Sequence, residues 1–141
     1  MDREYEKDIV INEKDLKEEW ERQAGLYLHY SVELAHVEKE KNKTREQLDL
    51  VKAKLDKKIR ENPKDFGIAK ITENVISNSI MLQEEFVHLN EIYINKVYEV
   101  SVLQGVIRAF DHKKKALENL VQLYLSGYNA EPKPTRTRRR N

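Results

Sequence analysis

Residues 82–128 read LQEEFVHLNEIYINKVYEVSVLQGVIRAFDHKKKALENLVQLYLSGY, and their spacing decides the fold class. Leu82, Phe86, Leu89, Tyr93, Lys96, Val100, Leu103, Ile107, Phe110, Lys114, Leu117, Val121, Tyr124 and Tyr128 recur at alternating intervals of four and three, and all but the two lysines are apolar. A strand would alternate every second residue. This interval instead gathers side chains on one stripe of an α-helix, as in the seam of a coiled coil. Ser126-Gly127 supplies the stop, because glycine readily takes the left-handed conformation that ends helices; Pro132 and Pro134 are expected to keep the following segment extended.

Upstream, a second seam runs through Leu16, Trp20, Tyr27, Tyr30, Leu34 and Val37, lapses at Lys41 and Thr44, and resumes at Leu48, Val51 and Leu55. Asn12, with Asp15 three residues on, reads as its N-terminal cap, and Asn62-Pro63 as its end, since proline disfavours helical backbone in the residue before it. Between the two seams, Ile71, Val75, Ile76 and Ile80 predict a short amphipathic helix after the connector Lys64-Asp65-Phe66-Gly67. Two helices of nearly fifty residues, each about 70 Å long at 1.5 Å per residue, joined by one connector, predict an all-α antiparallel hairpin. A register in which facing residue numbers add to 144 would set Trp20 level with Tyr124, Leu34 with Phe110 and Leu55 with Leu89. The expected organisation is an acidic, extended arm at 1–12 containing the β-branched Ile9-Val10-Ile11, a helical hairpin at 13–128 with its connector at about 63–81, and a flexible basic tail at 129–141.

Composition agrees. Charged residues make up 36% of the 141 positions and hydrophobic ones 39%, with only four glycines and three prolines, which favours long solvated helices over a β domain. The absence of cysteine excludes disulfides and thiolate metal sites. No apolar run nears the roughly 20 residues of a membrane span, and Met1-Asp2-Arg3-Glu4 does not open a signal peptide, so a soluble, unprocessed intracellular protein is expected.

One helix carries more apolar surface than a hairpin can cover. Val87, Ile94, Tyr98, Val102, Gly105 and Ala109 form a stripe on the face opposite the seam of the second long helix. A helix apolar on two faces needs two covers, so the second is expected to be the 71–81 segment or another copy of the chain, as in a homo-oligomer. Catalytic chemistry has no comparable signal. The pairs Glu33/His36 and Glu85/His88 have a di-iron spacing but lie far apart in the hairpin; Asp111 and His112, adjacent on a helix, do not face each other. No phosphate loop, nucleophile elbow or zinc motif is present, so no enzyme, cofactor or metal is expected.

The net charge of +1 conceals a segregation. Residues 1–22 hold nine acids against five bases, and residues 39–60 nine bases against four acids. Lys52, Lys54, Lys57, Lys58 and Arg60 crowd the end of the first long helix, where cations also complement the helix dipole. The tail adds Lys133, Arg136, Arg138, Arg139 and Arg140, a pattern common in nucleic-acid-binding arms but equally able to pair with the acidic N-terminus. Two classes of function remain: a nucleic-acid-binding protein, and a structural coiled-coil scaffold or chaperone gripping an acidic protein.

Asp8-Ile9-Val10-Ile11-Asn12 followed by Leu16, the Leu26-Tyr27 pair, and Val51-Lys52-Ala53-Lys54-Leu55-Asp56 resemble the phage UvsY-type recombination mediators over about the first 60 residues. That resemblance implies a homo-oligomeric accessory protein of phage homologous recombination, at work in the cytoplasm of an infected cell. It would bind single-stranded DNA and help a recombinase replace the single-strand-binding protein. Lys52 and Lys54 match the family's DNA-contacting basic positions, with Lys54 where arginine is usual, which retains a phosphate contact but loses bidentate geometry.

Overall fold

A computed structural model describes residues 4–127; the basic tail, with Arg136, Arg138, Arg139 and Arg140, lies outside the described residues. The chain forms α1 (Glu4–Asp8), α2 (Leu16–Glu61), α3 (Glu73–Met81) and α4 (Glu84–Leu125), with a 3₁₀ turn at Pro63–Phe66 between α2 and α3. There is no strand among the described residues. The two long helices pack as a hairpin.

The helix ends follow local chemistry, with two departures from the expected boundaries. Asp15, and not Asn12, caps α2: its Oδ1 accepts the Glu18 N–H at 3.1 Å, while Asn12 closes a preceding turn by accepting from Lys14 at 3.1 Å. Leu82 belongs to no seam. It ends α3 at a corner with φ −86° and ψ −11°, and its side chain is exposed. Pro63 stops α2, and Gly67, at φ 69°, takes the left-handed turn that leads the chain out of the 3₁₀ segment. Thr72 caps α3 by accepting the Val75 N–H on Oγ1 at 3.2 Å. Thr72→Ala is therefore expected to lower stability by about 1 kcal/mol, measurable by urea denaturation.

The described chain divides into two compact units. Unit one joins residues 4–30 to 106–127, and unit two comprises residues 31–105. Inside each, the register differs from the expected one. In unit one Tyr30 stacks on Phe110 with ring centroids 5.2 Å apart. In unit two Glu40 meets Lys96 at 2.8 Å, and Lys52 Nζ sits 5.7 Å from the Phe86 ring centroid. These pairs add to 136–140 instead of 144.

Unit one has a polar centre. The spacing placed Trp20, Tyr27 and Lys114 inward; instead Glu19, Gln23 and Lys113 are buried, and Trp20 and Tyr27 remain 45% and 39% exposed. One residue of helix is a rotation of about 100°, and the buried ion pair accounts for this choice. Lys113 Nζ lies 2.7 Å from Glu19 Oε2 and donates to the Asp8 carbonyl at 2.7 Å. Asn12 donates its N–H to Glu19 Oε1 at 3.2 Å, and the Tyr30 hydroxyl donates to Asp8 Oδ2 at 2.7 Å. Burial alone would raise the Glu19 carboxyl, but Lys113 and the Asn12 N–H outweigh it and hold the group below the ordinary carboxylate range. The N-terminal segment is thus a short helix and turn fastened to α2 and α4, and not an extended arm: Ile9 and Val10 donate back to Tyr5 and Lys7.

Unit two has the conventional core. Ile76 and Ile80 of α3 join Leu55, Ile59 and Ile68, with Val51, Phe66, Val75 and Phe86 packed around them. Each such side chain contributes about 1.5–3 kcal/mol on burial. Lys96 interrupts the α4 seam without opening it. Its ammonium bridges Glu40 and Glu99 at the rim, so the hydrogen bond it donates to Glu40, followed by the nearby Glu99 charge, raises it above the ordinary lysine value.

Candidate nucleic-acid interface

The basic residues at the end of α2 do not form one cluster. Positions two apart on a helix diverge by about 160°, so Lys52 and Lys54 point to opposite sides. Lys52 leans over the Phe86 ring toward α4, whereas Lys54 and Lys57 occupy the outer side of α2 and Lys58 its flank, all three exposed. Lys57 lies 3.9 Å from Glu61, a surface pair of little strength; Lys54 and Lys58 carry no ion pair among the described residues.

Arg60 is differently placed. Its Nε donates to Asp56 Oδ1 at 2.8 Å, and Nη2 donates to the Glu73 carboxylate at 2.8 and 3.0 Å, which raises the guanidinium further above its ordinary value. Glu73 opens α3, so Arg60 ties α3 to α2 and holds two carboxylates that a phosphate would have to displace. Among the five basic candidates of α2, it is the one already committed to the fold.

The proposed interface stripe on α4 falls into two parts. Val87, Ile94 and Tyr98 are 50%, 57% and 66% exposed, whereas Val102, Gly105 and Ala109 are half-buried. The connecting helix does not provide the second cover, since Ile76 and Ile80 of α3 are spent on the core with Leu55 and Ile59.

Reading the sequence missed a companion feature on α2. Val32, Ala35, Lys39, Lys43, Glu46, Leu50, Lys54 and Lys57 form an exposed outer stripe opposite that helix's seam. Its signal was the same four-and-three interval, hidden because lysines occupy so many of its positions. A further groove of about 450 Å³ in unit one is lined by Trp20, Gln23, Ala24, Tyr27, Asp111 and Lys114. Its one acid and one base cancel, leaving no electrostatic preference for phosphate.

No group of three or more metal-ligating side chains gathers among the described residues, and no helix among them is long and apolar enough to cross a membrane. Comparison with known protein families, with characterised proteins and with solved structures finds no match to this chain.

Proposed function

We propose that this protein is a non-enzymatic single-stranded-DNA-binding mediator of phage recombination. It acts as a homo-oligomer and helps a recombinase take over DNA from a single-strand-binding protein. The observation that supports the reading is the exposed basic end of α2, which carries the Val51–Asp56 stretch that resembles the mediator family. The electrostatic logic is additive: each lysine that neutralises a phosphate releases counterions, and an oligomer repeats the patch along one strand. Lys52 and Lys58 flank α2 as phosphate contacts, with Lys54 and Lys57 on its outer side. The arginines of the tail extend the charge.

The test is a gel shift with labelled oligonucleotides at two salt concentrations. Lys52→Ala and Lys54→Ala should each weaken binding to a similar extent across base sequences, because phosphate contacts position a protein without reading bases. Loss of a direct contact should also reduce the salt slope by about one. Ending the chain after Ala130 should weaken binding further. A parent protein that does not shift oligonucleotides at low salt would exclude the reading in favour of a scaffold for an acidic protein partner.

A further inference from the structure

The exposed stripe on α4 has a fitting counterpart on α2 of the same chain, and the register of the hairpin says how the two would meet. Within residues 31–105, Glu40 is level with Lys96 and Lys52 with Phe86, so a residue of α4 is level with the α2 residue whose number brings the total to about 137. Rotation about an axis parallel to the hairpin leaves every residue at its own height. The outer face of α4 in one copy would then meet the outer face of α2 in the next with this same register.

We infer that the protein assembles head to tail, with the α4 stripe of one copy seated on the α2 stripe of its neighbour, and that Val87 against Leu50 is the centre of the contact. The proposal deepens the assembly part of the function above and does not depend on DNA binding. Apolar side chains that are half or more exposed meet there: Val87 is 50% and Leu50 54% exposed. One turn toward the connector, Glu84 of one copy comes level with Lys54 of the other, an acid against a base, so Lys54→Ala would loosen the assembly as well as remove a phosphate contact. In the opposite direction, Tyr98 lies level with Lys39, which places an ammonium and its aliphatic stem on a 66%-exposed ring. Gly105 comes level with Val32, so the position without a side chain receives a 47%-exposed branched one.

One level is unfavourable: Glu91 faces Glu46. Lys43, one turn away on the same side of α2, offsets it. A symmetric contact of α4 with α4 about an axis parallel to the helices would bring Glu84 and Glu91 against their own copies with no base on the stripe; the heterologous contact gives Glu84 a lysine. Contacts of this type close into rings or continue as filaments, depending on the rotation between copies.

The chain contains no cysteine, so engineered thiols report on this contact alone. Leu50 and Val87 lie on opposite outer sides of the hairpin. A disulfide requires Cα atoms within about 7 Å, so the two positions cannot bond within one chain. Oxidising L50C/V87C without DNA should give a ladder of covalent multimers on a non-reducing gel. An equimolar mixture of L50C and V87C single variants should give a covalent dimer and stop there. L50C/Y98C, displaced by eleven residues or about 16 Å, should give no ladder.

Each variant should keep its helical circular dichroism, since the substituted side chains are exposed. Strong cross-linking of V87C with itself would overturn the proposal in favour of a symmetric contact. Absence of a ladder from L50C/V87C, whether the protein sediments as an oligomer or as a 16.8 kDa monomer, would overturn it as well. Because no oligonucleotide is present, none of these outcomes depends on whether the protein binds DNA.

Discussion

Lys113→Ala is expected to destabilise unit one by about 3–5 kcal/mol, the cost of leaving one partner of a buried ion pair behind. Lys113 is 4% exposed and Glu19 7%, so water cannot replace the missing ammonium. The substitution strands the Glu19 carboxylate and removes the donor to the Asp8 carbonyl together. On heating, the transition of unit one should fall by roughly 10 °C or more. Amide exchange should accelerate most at Asp8–Asn12, because that segment is fastened through the same lysine. The paired replacement Glu19→Leu with Lys113→Met should recover most of the loss, since two apolar side chains remove both charges and need no desolvation of either. If Lys113→Ala melts like the parent, the polar centre is not what holds the N-terminal segment.

The same centre has a pH dependence whose sign is fixed. The Glu19 carboxyl is held below its ordinary value in the folded state, so its contribution is present above the unfolded value of about 4.3 and is lost as pH falls through the lower, folded one. The N-terminal segment should therefore loosen on acidification below about pH 4, and in Glu19→Gln this dependence should diminish.

Phe110→Ala is expected to cost unit one about 3–5 kcal/mol by a different route. The ring is fully buried at 0% exposure and stacks on Tyr30, and the backbone carbonyl of the same residue accepts the Gln23 side-chain amide at 2.8 Å. Removing the ring opens a cavity between α2 and α4 and releases Tyr30, whose hydroxyl holds Asp8. Phe110→Leu fills most of that volume and should recover a substantial part of the loss. Denaturation followed separately in the two units, by amide exchange, should show protection lost across residues 4–30 and 106–127 first. A uniform small change across the chain would mean that Phe110 is not the anchor its burial indicates.

Helix content and the hairpin were legible in the spacing alone. Alternating steps of three and four cannot form a strand face, Asn62-Pro63 cannot continue a helix, and glycine at 67 and 127 takes φ of 69° and 71°. The excess apolar stripe at 87–109 was legible for the same reason, since periodicity counts every face of a helix. Periodicity does not say which polar residue is worth burying, and there the tertiary structure decided. It buried Lys113 in place of Lys114 because the Glu19 carboxylate, itself held by the Asn12 N–H, and the Asp8 carbonyl converge on its ammonium, and this turned Trp20 and Tyr27 outward. It also set the register, assigned Arg60 to Asp56 and Glu73, and laid Lys52 over the Phe86 ring. Apolar burial depends on spacing along one chain segment and can be read locally; an ion pair depends on where distant segments meet, and only the folded chain shows that.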